Sequence, residues 1–319
     1  MGKLVLDSYA KLNLYLAVLN KRRDNYHNIE TLFERIDLCD KIILTTRRDR
    51  KIKVICSDPL VPKGDTNLCY RSAKLLSDNF NIKKGLQIRI IKRIPVGAGL
   101  GGGSSNAATL LLGLNSLWGL RLSRKKLLEC AEEIGSDVPF FIYGSSFARG
   151  FGRGDKIRPL KLNKPLRLWH LLVVPRFKVS TPLIYGKWDE LSRLKTPCKS
   201  CGSGLTPLDR GSILKKSYLT GLTTAKFDVR ILPSLICKDA CALAGRTLFN
   251  SLEEVAARAY PQIRRIRERL VSLGINSILM SGSGPAVFGI VSSRKEGLIL
   301  RRKIRRIEKS WRIYVTGTF

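Results

Sequence analysis

Acidic residues are scarce in this 319-residue chain: 25 Asp and Glu stand against 58 Lys and Arg, a formal net charge of +33. Such a balance favours anionic partners, whether nucleotides, phosphorylated metabolites or nucleic acid. The basic residues are scattered except in Pro261–Arg269 and Arg301–Lys309, which read as charged faces of amphipathic helices. Ile263 and Ile266 in the first, and Ile304 and Ile307 in the second, mark the inner side. Charge alone therefore establishes no nucleic-acid partner. Long apolar runs are also missing, so no membrane span is expected. The opening "MGKLVLDSYAKLNLYLAVL" has neither a basic-then-apolar leader nor the Ser/Thr of a myristoylation site. A cytoplasmic enzyme or binding protein is the expectation. Histidine occurs twice and cysteine eight times; without a secretion signal the cysteines read as thiols. A zinc site from Cys198, Cys201, Cys237 and Cys241 is disfavoured by the irregular second spacing.

Apolar residues make up 44% of the chain, enough for a large core in two lobes, with boundaries expected at 1–160 and 161–319. Strands are predicted at 4–19, 41–46, 51–56, 86–94 and 166–175, and in "INSILMS", "AVFGIV" and "WRIYVTGTF". Helices are predicted after Asp65 or Thr66, from Ser104 or Ser105 to about Trp118, over Ser123–Ile134, over 248–273 with a break at Pro261, and in the basic segment near the end. Pro, Gly and Ser mark 195–212 as a surface excursion. The lack of a regular βαβ repeat predicts α+β.

Five glycines fall within the seven residues Gly97–Gly103, followed by Ser104 and Ser105 and a helical run. Gly97, Gly99 and Gly102 satisfy the dinucleotide fingerprint G-x-G-x-x-G, but nothing acidic lies between Gly102 and Glu129 to take a ribose. No G-K-[ST] follows, and H-R-D and D-F-G are absent. What remains is a helix N-terminus whose N–H groups and serine hydroxyls cradle an oligophosphate. A purely structural turn would not need so many flexible residues.

Lys11 and Asn13 share one face of a strand in "AKLNLYL". Lys11 is either an exposed strand residue or half of a pair with Asp137, itself either a turn or N-cap aspartate in "GSDVPFF" or an acid facing the glycine loop. If paired, the carboxylate orients and deprotonates an attacking hydroxyl while the ammonium stabilises developing charge. Tyr26 and His27 either pack on a strand or offer a ring face and a nitrogen to a nucleobase.

"SYAKLNLYLAV", "NYHNIETLF", "PVGAGLGGGSSNAATLLLGLN", "GSDVPFF" and "LMSGSGPAVFGIV" together resemble the GHMP small-molecule kinases. Within that family they are similar to the branch acting on a cytidine-diphosphate methylerythritol. The resemblance runs from about residue 4 to 292 and implies a two-lobed α+β fold, a ribosomal protein S5 domain 2-like lobe followed by a ferredoxin-like one. It implies Lys11 and Asp137 as the catalytic pair, and ATP held by Pro95, Val96, Gly97, Ala98, Gly99, Leu100, Gly101, Gly102, Gly103, Ser104 and Ser105, with Asn67 and Lys92 nearby. Tyr26, His27 and Tyr185 would hold the cytosine, and Asn13 would lie near the reacting hydroxyl. Mg²⁺ is expected with ATP, Ser104 or Ser105 being its candidate protein ligands. Asn25 stands where glycine is usual, a position where Asn tolerates positive φ. A kinase of another acceptor, of mevalonate or homoserine type, is the alternative against which Tyr26-His27 argues; a nucleic-acid binder of related fold is the other.

Overall fold

The apolar alternation near the N-terminus becomes β1 (Lys3–Lys21) in a computed structural model describing residues 2–162, 164–195 and 248–319. β1 pairs antiparallel with β2 (His27–Arg47), and the register shifts between Asn13 and Tyr15. Such an irregularity re-aims side chains next to a site. β3 (Ile52–Cys56), β4 (Gly85–Ile91), β5 (Phe147–Phe151), β6 (Lys156–Pro159) and a two-residue β8 (Phe249–Asn250) complete this sheet, ordered β3-β4-β2-β1-β8, with β5 attached to β2 and β6 to β5. A second sheet, β11-β7-β10-β9, is antiparallel throughout: β7 (Trp169–Val174), β9 (Ile278–Met280), β10 (Val287–Val291) and β11 (Arg312–Gly317).

Helices α1 (Leu68–Asn79), α2 (Gly102–Leu117), α3 (Arg124–Ile134) and α4 (Val138–Tyr143) form one core with the first sheet, through Phe33, Ile42, Leu44 and Leu110. Helix α5 (Thr181–Lys195) follows β7. Helices α6 (Glu253–Ala259), α7 (Pro261–Ser272) and α8 (Arg294–Ile307) cover the second sheet, where Leu171 and Val173 point toward Ile263, Ile266 and Ile304. The alternate residues of β7, Leu172 and Val174, join Leu12, Leu14 and Ile36 in the core between the sheets. His170, also on that face, meets Glu34 of β2 at 2.9 Å with both side chains fully buried. The layers are helices, sheet, sheet, helices, consistent with the α+β expectation.

Several sequence expectations change. The strand predicted at 41–46 is the end of β2, which begins at His27, and 248–252 gives β8 rather than helix. Pro261 opens α7 at its first position, where no N–H is needed. Asn67, not Asp65 or Thr66, caps α1, while Ser123 caps α3 as expected. Ile304 is buried, yet Ile307 is 59% exposed because the helix ends there. The cysteines at 198, 201, 237 and 241 lie outside the described residues.

Two loops interlock at the junction of the sheets. A Cβ on Gly99 would lie 2.2 Å from the Ser281 carbonyl oxygen, and one on Gly284 2.2 Å from the backbone of Ala98 and Gly99. Gly99 also holds φ at 79°, which side chains rarely adopt. Gly284→Ala should lower stability by about 1–3 kcal/mol through backbone displacement, whereas Gly64→Ala, with open space around it, should leave it unchanged. Parallel urea titrations of the two variants check this; equal midpoints would show that the loops tolerate separation.

Candidate active site

The predicted phosphate loop connects β4 to α2. Gly101, not Ser104 or Ser105, stands at the N-cap with φ 65° and offers no side-chain cap. Orphan N–H groups in the first turn therefore face a cleft of about 320 Å³ with no internal partner from a cap. Pro95 to Ser104 line this cleft together with Asn67, Lys92 and the apolar Val61, Pro62, Leu68 and Ile90. Ser105 does not: its hydroxyl is buried and bonded to that of Ser8 at 2.7 Å. Ser104 is thus the serine placed toward a ligand. Asn67 lines the cleft, but its oxygen accepts from the N–H of Cys69 and its amide donates to the Pro62 carbonyl.

Lys92 is held from behind by Asp40, which the sequence analysis did not single out. Asp40 is fully buried and accepts from the Lys92 ammonium, the Asn106 amide and the backbone N–H groups of Arg93 and Ile94, the last two at 2.7 and 2.9 Å. Four donors satisfy one buried carboxylate and fix the exit of β4 into the loop. "DLCDKI" carries no motif that would have revealed it.

On the other side of the loop lies a second cleft, of about 560 Å³, which shares Gly99 and Gly101 with the first. It contains Lys11, Asn13, Tyr26, His27, Asp137 and Tyr185. The Lys11 ammonium, nearly buried, lies 3.4 Å from Asp137 Oδ2 and donates to Asn13 Oδ1 at 2.5 Å. Asp137 occupies the N-cap position of α4 yet makes no capping bond, so its carboxylate is turned to the lysine. The Asn13 amide donates to Thr31 Oγ1 at 2.7 Å, and Thr31 to the Tyr15 carbonyl, which fixes Asn13 in turn. Gly101 sits against the lysine stem: a Cβ there would lie 2.9 Å from Lys11 Cγ.

Farther along the cleft, Asn25 has φ 65°, as expected of a residue replacing glycine. Tyr26 is 56% exposed, with the Arg153 guanidinium 5.2 Å from its ring centre. His27 is buried; Tyr185 stacks on it at 5.0 Å and Trp188 meets it edge-on at 5.6 Å. Burial pushes the Tyr185 hydroxyl up, helped by the charge of Asp137, so it stays neutral. Asp189 Oδ1 lies 2.6 Å from His27 Nε2, and Asp189 Oδ2 takes the Lys21 ammonium at 2.9 Å. Burial raises the Asp189 carboxyl, but hydrogen bonds from Lys21 and His27 outweigh it and hold the group below its usual range. Asp189 was missed because it is one turn beyond Tyr185 on α5 and no motif includes it. Among the described residues no group of three or more His, Cys, Asp or Glu could hold a metal, and no helix is long and apolar enough to cross a membrane.

Comparison with known proteins identifies the architecture. The GHMP kinases N terminal domain matches residues 67–145, and the GHMP kinases C terminal domain matches 235–308. A 4-diphosphocytidyl-2-C-methyl-D-erythritol kinase of Bacillus cereus (strain B4264) is 39% identical over 289 residues, spanning 91% of this chain and 88% of that protein. The chain belongs to the GHMP kinase family. A kinase of the same name from Brevibacillus brevis is 37% identical over 310 residues, 97% of this chain and 92% of the relative. A crystal structure of 4-(cytidine 5'-diphospho)-2C-methyl-D-erythritol kinase superposes with TM-score 0.71 at 30% identity, covering 98% of both chains. The Methanococcus jannaschii mevalonate kinase, at TM-score 0.66 and 14% identity over 100% of this chain and 99% of the other, shares the fold alone. As a GHMP kinase the protein is an ATP-dependent small-molecule kinase with the two-lobed fold of that family.

Two variants probe the supports of this site. Asp40→Ala leaves a buried ammonium uncompensated and should cost about 3–5 kcal/mol of stability, read by urea unfolding; a loss below about 1 kcal/mol would mean that the pair acts like a surface one. Asp189→Asn should weaken acceptor binding with little change in maximal turnover. Because the folded carboxyl lies below its unfolded value, the pair's contribution is present above about pH 4 and lost as pH falls through the lowered value. Stability curves of wild type and Asp189→Asn should therefore converge only at acidic pH; convergence at neutral pH would contradict this.

Proposed function

We propose that this chain transfers the γ-phosphoryl group of ATP to the C2 hydroxyl of 4-diphosphocytidyl-2-C-methyl-D-erythritol, in non-mevalonate isoprenoid precursor biosynthesis. The observation carrying the proposal is the Lys11–Asp137 pair lying beside Gly101, which with Gly99 lines both clefts. One cleft suits an oligophosphate at a helix N-terminus; the other suits a base at Tyr26 and His27 and a hydroxyl at Lys11 and Asp137. In this reading Asp137 orients the acceptor hydroxyl and takes its proton as the oxygen attacks the γ-phosphorus. The bond from that phosphorus to the bridging oxygen breaks, and ADP leaves. Lys11 stabilises the charge that grows on the attacking oxygen and the transferring group. Asn13 holds Lys11 in line, and the first-turn N–H groups of α2 with Lys92 hold the nucleotide phosphates.

The cytosine is assigned to Tyr26, His27 and Tyr185. A carboxylate only accepts, so His27 Nε2 donates to Asp189, and a base would meet the other ring nitrogen, Nδ1. Bound with ATP, Mg²⁺ would neutralise charge on the phosphates. The donors present fit a metal held chiefly by phosphate oxygens and water, with the Ser104 hydroxyl as the protein ligand and Ser105 already committed to Ser8. The reading further includes a cytoplasmic setting, supported by free thiols at Cys39, Cys56, Cys69 and Cys130. It also includes a division into lobes at 160/161 and a small-molecule rather than nucleic-acid substrate.

Purified protein with ATP should phosphorylate the cytidine-diphosphate methylerythritol and leave mevalonate and homoserine untouched. Asp137→Ala should slow turnover by about 10²–10⁴-fold with nucleotide affinity retained. Normal turnover by that variant would remove Asp137 from the mechanism; turnover of mevalonate or homoserine instead would remove the substrate assignment.

A further inference from the structure

A third cleft, of about 420 Å³, lies on the second sheet and shares no lining residue with the two described. Its cations come from three places: Arg301 and Arg305 on α8 with Lys309 just after it, Arg312 at the start of β11, and Arg176 following β7. Its one carboxylate, Glu308, is already engaged by Arg265 at 2.9 Å and Arg269 at 3.7 Å. None of the five cations has an acidic partner among the described residues. The Nε of Arg301 is buried without any hydrogen-bond partner. Burial, and then repulsion from Arg305, makes Arg301 easier to deprotonate than an ordinary guanidinium. A helix C-terminus accounts for some positive charge in the last turn of α8. It does not account for Arg176 and Arg312, which other elements bring to the same concavity.

We propose that this cleft binds the oligophosphate group of a small phosphorylated molecule, at a site separate from catalysis. Guanidinium forks match phosphate oxygens in pairs, and an anion would supply the partner that the Arg301 Nε lacks. Clustered cations in a concavity concentrate anions. Trp311 and Tyr314 line the same cleft and offer flat faces to the remainder of the ligand. A bounded cleft favours a discrete ligand over a polymer lying along the surface. The site does not depend on the catalytic assignment.

Calorimetric titration with tripolyphosphate compares wild type with Arg301→Gln/Arg305→Gln, and kinase kinetics measured on both confirm an intact active site. Wild type should bind one more tripolyphosphate per chain than the double variant, with the extra site weakening steeply as salt is raised. Arg312→Gln, at an exposed position whose side chain is hydrogen-bonded to Tyr314 of the same cleft, should lower that site's affinity at least fivefold, with its thermal unfolding measured alongside. Equal stoichiometry in wild type and double variant would overturn the proposal and leave solvated cations at a helix end. Binding of a single-stranded oligonucleotide, but not tripolyphosphate, at the extra site would overturn it in favour of a nucleic-acid surface.

Discussion

Backbone touching backbone at Gly99 and Gly284 is the constraint on which the site depends. The first glycine precedes α2 and the second precedes β10, so one contact ties the helix of the first layer to the second sheet. The Ala286 N–H donates to the Ala98 carbonyl across the same junction, and the Ser281 hydroxyl to the Gly99 carbonyl. Asn13 joins through its N–H to Ser281 Oγ. Two glycine-rich segments, with Gly99 and Gly284 185 residues apart in sequence, thus behave as one wall. The first cleft lies on one side of that wall and the second on the other.

Chemistry then belongs at the rim of the wall. Lys11 donates its backbone N–H to the Leu100 carbonyl, so the strand bearing the lysine is stitched to the glycine-rich loop. The ammonium and the Asp137 carboxylate are set against one another before any ligand arrives, which reduces the reorganisation that charge development would otherwise demand. Behind the loop, Asp40 performs the equivalent task for Lys92. Burial separates the two pairs: Asp40 is enclosed, whereas Asp137 keeps part of its carboxylate open to the second cleft.

What the sequence revealed follows from the range of the forces involved. β1 and α3 were legible because apolar alternation and a serine cap are local signals. The loop and its lysine and aspartate were legible because residue type at fixed spacing carries chemistry. α4 was missed: six residues starting with Val138-Pro139 are too short to show a period, and they are helical because Phe140, Phe141 and Ile142 pack into the core. The first half of β2 was missed because one side of its ladder is made with β5, far along the chain, although the other is a hairpin with the adjacent end of β1. The serines of α2 looked like caps, yet Gly101 takes the left-handed turn and Ser105 is drawn inward to Ser8. Asp40 and Asp189 act through partners 52 and 162 residues away, and no window along the chain contains such information.

The bare N-terminus of α2 has a thermodynamic corollary. A helix that declines to cap itself is less stable alone than it could be, and the deficit is made good only when an anion occupies its first turn. Folding and nucleotide occupancy are therefore linked: phosphate binding should tighten the loop, the interlocked segment behind it and the lysine stitched to its edge. On the proposed reading, the seven residues that would hold ATP would also convey its presence to the rest of the protein as rigidity.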